Sequence, residues 1–150
     1  MRDVNTQEYF TRLIENLKET FGTDQLNIDL TCDIEALILD LETMIPLGLM
    51  VNELVTNSLK HAFTKSSGGN IHVTLANQEN TLILRVKDDG NAKNPTASSE
   101  QSFGYTLVEY FTTRLGGKIN IKVDNGLNVE LKISNFNKAK QKVGIMQNAK

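Results

Sequence analysis

Glu53, Asn57, Lys60 and His61 fall at i, i+4, i+7 and i+8 within the run Asn52-Glu-Leu-Val-Thr-Asn-Ser-Leu-Lys-His-Ala-Phe63. At about 100° per residue, that spacing puts a carboxylate, a carboxamide, an amine and an imidazole on one helical stripe. The other side of the wheel carries Gly48, Val51, Val55, Ser58, Leu59 and Ala62, small or apolar residues suited to close packing on a sheet. Taken alone, such a stripe is equally the wet face of a surface helix. Two further stretches bear on the choice. Leu82-Ile-Leu-Arg-Val86 reads as a strand that runs into Lys87-Asp88-Asp89-Gly90. Asp88 is therefore placed to accept a hydrogen bond at a pocket rim, and Gly90 lets the backbone turn sharply beside a ligand. In Ser102-Phe-Gly-Tyr-Thr-Leu-Val108, Gly104 precedes a helix whose first N–H groups are a natural phosphate site. Each of these also has a plain structural reading, as an Asp-Gly turn or a glycine at a helix entry.

The elements that must hold these groups follow from periodicity. Gln7 to Phe21 carries Phe10, Leu13, Ile14 and Leu17 at helical spacing and stops at Gly22. Leu26 to Leu30 alternates with period two and reads as a strand; a short strand is expected around Ile38 to Leu41. A long helix then runs to about Phe63 or Lys65, capped by Glu42 or Thr43, with Pro46 near its first turn. Ile71 to Leu75 and Thr81 to Val86 read as a hairpin, as do Ile119 to Val123 and Val129 to Ile133. Between the pairs lie a polar loop, from Asp89 to Ser102, and a helix from about Tyr105 to Leu115, ended by Gly116-Gly117. This order predicts an α+β fold: a two-layer sandwich in which helices cover one face of a mixed, mostly antiparallel sheet.

The bulk properties exclude several classes. A chain of 150 residues fits one ordinary domain, and a formal charge of −2 is wrong for a phosphate-tracking nucleic-acid surface. The single cysteine, Cys32, cannot form an internal disulfide and fits a reducing, cytoplasmic setting. No apolar run approaches the ~20 residues of a membrane helix, so no membrane contact is expected from this stretch.

In this order the three stretches resemble the catalytic, ATP-binding domain of sensor histidine kinases, of the Bergerat (GHKL) ATPase fold. The closest subgroup has a long helix reading P-L-G-L-x-x-N-E-L-x-T-N-A-x-K-H-A-F, and the resemblance spans about Asn5 to Ile133. It implies that Asn57 holds Mg²⁺ through its side-chain oxygen, with Glu53 orienting metal, water and phosphates one turn earlier. Lys60 and His61 match positions that approach the phosphates. Asp88 matches the aspartate that accepts from the exocyclic amine of adenine. Gly90, Ala92, Phe103, Gly104, Tyr105, Thr106 and Leu107 would line the lid and the phosphate end of the ATP site. The implied reaction is transfer of the γ-phosphoryl group to a histidine on a separate dimerisation domain, and from there to a response regulator.

Three features depart from the pattern. Ala92 stands where a second glycine is usual, in Asp88-Asp-Gly-Asn-Ala92. Gly126-Leu127-Asn128 replaces a Gly-Thr pair whose threonine supports the adenine aspartate. Neither His61 nor His72 has an acceptor pattern around it, so the phosphorylated histidine is expected on another chain or domain. Residues 1–22 are then a link from a dimerising hairpin, 23–136 the ATP-binding domain and 137–150 a lysine-containing tail, with the piece itself a monomer. Two other readings share the fold: a degenerate GHKL module acting in protein interaction or regulation, and an anti-sigma-type serine kinase.

Overall fold

In a computed structural model of the chain, residues 3–63, 68–91 and 102–134 are described, those at 102–104 without their side chains. A short strand β1 (Asp3–Asn5) leads into α1 (Thr6–Phe21), which Asn5 caps and Gly22 ends in the left-handed conformation at φ 61°. Strands β2 (Ile28–Ile34) and β3 (Ile38–Asp40) precede α2 (Leu41–Asn57), which passes directly into a π-helical turn, Ser58–Ala62. Next come the hairpin β4 (Gly69–Gln78) and β5 (Thr81–Asp88), then α3 (Ser102–Arg114), then β6 (Gly117–Val123) and β7 (Leu127–Ile133).

Five strands form one sheet in the order β2-β4-β5-β7-β6, parallel between β2 and β4 and antiparallel elsewhere; β1 and β3 form a separate antiparallel pair. Register explains the layering. Leu30, Ile71 and Asp88 align across three strands, as do Ile34, Leu75, Leu84 and Leu131 across four. That face packs against Phe10, Ile14 and Leu17 of α1, Met44, Leu47, Met50 and Val51 of α2, and Val108 of α3, in one continuous core. The other face carries Thr31, His72 and Lys87 in one row and Asp33, Thr74, Arg85 and Glu130 in the next. There the Arg85 guanidinium sits 2.6 Å from Glu130 and holds its carboxyl below the usual range. His72 pairs with the Thr31 hydroxyl at 2.6 Å, an ordinary sheet contact. This is the two-layer sandwich with a mixed, mostly antiparallel sheet that the element order predicts.

Several boundaries differ from expectation, each for a local reason. The first sheet strand begins at Ile28 rather than Leu26, because a turn at Asn27 (φ 57°) intervenes and leaves Leu26 exposed. Asp40, not Glu42 or Thr43, caps α2 by accepting the Thr43 N–H at 3.0 Å, so Pro46 lies in the second turn. The first hairpin closes through Glu79 and Asn80 alone, both at positive φ, which extends its strands. Helix α3 begins at Ser102, so Gly104 lies inside its first turn rather than before it. The helix set apart as 1–22 shares its buried face with the same core.

Asp40→Ala should lower the unfolding free energy by about 1 kcal/mol, the usual worth of a lost N-cap. Urea unfolding followed by circular dichroism reads this as a lower midpoint; an unchanged midpoint would mean that the cap contributes nothing to α2.

Candidate functional site

Period two along β5 sends Leu82, Leu84, Val86 and Asp88 to the buried face, so the strand ends by pointing a carboxylate where the core ends. Asp88 is only 2 % exposed. A buried carboxylate is costly unless it is hydrogen-bonded. Oδ1 accepts the N–H of Gly90 at 3.0 Å and of Leu127 at 3.1 Å, while Oδ2 accepts the Ser58 hydroxyl at 2.7 Å. These donors come from the turn after β5, from the start of β7 and from the end of α2. The support expected from a hairpin threonine is thus supplied by a backbone N–H and a serine.

Close backbone approach makes this possible. A Cβ on Gly126 (φ 125°) would collide with the Asp88 carbonyl oxygen, and one on Gly90 would collide with that of Ala62. Beyond Gly90, the Asn91 N–H donates to the Ala62 carbonyl at 2.6 Å, satisfying an otherwise open helix-end acceptor. Asp89 faces outward and ties the same corner to β4. It accepts from the Asn70 backbone N–H at 2.7 Å and side-chain amide at 2.8 Å, and these bonds hold its carboxyl below the ordinary range.

The polar stripe reaches this corner in altered form. Glu53 and Asn57, one α-turn apart, are both half-buried, and neither side chain has a hydrogen-bond or ion-pair partner among the described residues. Their oxygens are free to meet a hard cation. From Ser58 the π turn rotates less per residue than an α-helix, so Lys60 and His61 do not continue the stripe as an α-helical wheel draws it. Lys60 is exposed and His61 half-buried. Single π turns occur often at functional sites.

Helix α3 packs on α2, with the Thr112 hydroxyl 3.9 Å from the Met50 sulfur. Tyr105 is buried and its phenol is pushed up by that burial; Thr106 is exposed and Leu107 half-buried. Phe103 and Gly104 belong to the first turn of α3, and their side chains, like Ala92 altogether, lie outside the described residues. No described hydrogen bond joins Tyr105 or Leu107 to the Asp88 corner. A groove of about 690 Å³ lined by Asp40, Pro46, Phe111 and Arg114 lies at the other end of α2 and shares no residue with Asp88 or the polar stripe.

Ser58 is the site residue that the sequence pattern places on the packing side without showing its role. It is 3 % exposed, as that placement requires, and its hydroxyl is a donor to the buried carboxylate. A polar residue within an otherwise apolar stripe was the available signal.

Residues 43–137 match the sequence profile of the "Histidine kinase-, DNA gyrase B-, and HSP90-like ATPase" family. The chain belongs to this family. Its curated relatives include the sensor protein VraS of Staphylococcus epidermidis, 32 % identical over 85 residues, and of Staphylococcus aureus, 29 % identical over 85 residues. Each alignment covers 55 % of this chain and 23 % of the relative, so the chain spans under a quarter of those sensors. Among solved structures, the histidine kinase domain of the Erythrobacter litoralis EL346 blue-light activated histidine kinase has a TM-score of 0.76 at 23 % identity, over 85 % of this chain and 59 % of that one. The mycobacterial sensor histidine kinase MprB has a TM-score of 0.67 at 15 % identity, over 88 % of this chain and 95 % of that one. At these identities the likeness establishes the ATPase fold.

The Asp89–Asn70 bonds make a pH-dependent contribution to stability. Because the folded carboxyl titrates below its unfolded value, that contribution is complete above the ordinary Asp range near pH ~4 and fades as pH falls through the lower, folded pKa. Thermal melts should therefore show Asn70→Ala less stable than wild type at pH 7, with the gap narrowing toward pH ~3. A gap that does not change with pH would assign the loss to backbone packing.

Proposed function

We propose that the chain is the ATP-binding catalytic domain of a two-component sensor histidine kinase. The observation that carries this reading is the Asp88 carboxylate, buried and oriented by three donors, one of them the Ser58 hydroxyl next in the chain to Asn57. Membership of the ATPase family and the sensor relatives support it.

In this reading Asp88 accepts from the exocyclic amine of adenine and so selects the base. Asn57 and Glu53 offer an amide and a carboxylate oxygen to Mg²⁺, which suits a cation that keeps several waters and phosphate oxygens in its shell. When bound, the metal neutralises charge on the β- and γ-phosphates. Lys60 supplies a compact positive charge toward the phosphates and His61 a hydrogen-bonding edge. Gly90 and the start of α3, with Gly104 and Tyr105 in its first turn and Thr106 and Leu107 just beyond, bracket the nucleotide, and the open N–H groups of that first turn meet phosphate oxygens.

The chain's contribution is position and charge. It holds the γ-phosphorus in line between the departing ADP oxygen and an acceptor imidazole nitrogen. That imidazole belongs to a dimerisation domain elsewhere in the parent protein, with a response regulator downstream, and the isolated piece is a monomer in the cytoplasm. No helix among the described residues is long and apolar enough to cross a membrane.

Calorimetry with Mg²⁺-ATP tests the reading. Asp88→Asn should weaken binding about 10- to 100-fold, the range expected for a lost hydrogen bond to a buried charge. Asn57→Ala should bind ATP with little dependence on Mg²⁺. Absence of binding by wild type at millimolar nucleotide would overturn the proposal in favour of a module that serves only in protein interaction.

A further inference from the structure

We propose that Ser58 is a positioning residue for base selection: its hydroxyl fixes Asp88 with a single lone pair left for an exocyclic amine. This rests on the ATP-binding reading above and adds a residue to it. A carboxylate offers about four acceptor positions, two on each oxygen. Both positions on Oδ1 are taken, by the Gly90 and Leu127 N–H groups, and Ser58 takes one on Oδ2 at 2.7 Å. One position on Oδ2 therefore remains among the described contacts.

The Ser58–Asp88 bond is not a by-product of helix geometry. A serine within a helix commonly returns its hydroxyl to the carbonyl four residues back. Ser58 instead donates across the fold to a residue thirty positions away. Its own N–H is shared between the Leu54 and Val55 carbonyls, at the junction where the α-helix gives way to the π turn. That double anchorage fixes the Cα from which the hydroxyl reaches Asp88. Ser58 and Asp88 are 3 % and 2 % exposed, so bulk water does not compete for the bond.

The consequence is a directional acceptor. With the hydroxyl present, a purine bearing an amine at C6 completes the carboxylate, whereas one bearing a carbonyl there sets an acceptor against an acceptor. Without it, Oδ2 has two open positions, and a water admitted into the space competes with the amine. Ser58 thus acts through Asp88 and need not touch the nucleotide.

The experiment compares ATP with purine riboside triphosphate, which lacks the exocyclic amine, on the whole chain and on Ser58→Ala, by calorimetry with Mg²⁺. The expected result is an approximately tenfold weaker Kd for ATP in Ser58→Ala and a change under about twofold for purine riboside triphosphate. A partial loss of folded protein would lower the binding stoichiometry of both ligands and leave the ratio of their affinities alone. Equal weakening of both ligands, or of neither, overturns the role of Ser58 while leaving ATP binding standing. Failure of wild type to bind ATP overturns both.

Discussion

A carboxylate held almost out of water must be met by hydrogen-bond donors, and Asp88 imposes that requirement on three separate parts of the chain. The turn after β5 supplies the Gly90 N–H, β7 supplies that of Leu127, and the end of α2 supplies the Ser58 hydroxyl. Two of these approaches bring backbone closer than a side chain would allow, at Gly90 itself and at Gly126 beside Leu127. That is why Gly126 and Gly90 stand where a Cβ would meet a carbonyl oxygen. The corner where strand, hairpin and helix converge is thus built outward from one buried charge.

From Glu53 on α2 to this corner, the polar groups divide by whether the protein satisfies them. Asp88, Ser58 and Asp89 are bonded within the fold, and so are rigid; Glu53 and Asn57 are half-buried and have no described partner. Buried polar groups cost free energy when left unpaired, so half-buried side chains with open acceptors suit a ligand that arrives with its own positive charge and donors. The π turn contributes to this division. By widening the helix after Asn57, it buries Ser58 and Ala62, leaves Lys60 in solvent and turns the Ala62 carbonyl to the Asn91 N–H.

The sandwich was legible because its pattern is redundant. Alternation in β4, β5 and β7 and the spacing of Phe10, Ile14 and Leu17 each identify a buried face, and burial is non-directional, so small errors in the ends do no harm. Ends were less legible because they depend on single hydrogen bonds. Asp40 rather than Thr43 caps α2, and the first hairpin closes on Glu79 and Asn80 at positive φ. The strand β1 could not be read at all, since three residues carry no period and β1 exists through its pairing with β3.

For the site, the sequence by itself determined which chemical groups are present and their order: Glu53 and Asn57 one turn apart on a helix, Asp88 at a strand end, glycines beside it. Local spacing suffices for that, because i, i+4 geometry holds wherever the chain is α-helical. Only the tertiary structure decided what each group faces. The wheel drawn at 100° per residue fails from Ser58 onward because the backbone there closes i→i+5 bonds. Ser58 became the partner of Asp88, and Leu127 the substitute for a missing hydroxyl, because β5, β7 and the helix end meet at one point. Residues thirty and thirty-nine positions apart in the chain become neighbours only when the sheet register and the helix packing bring them there.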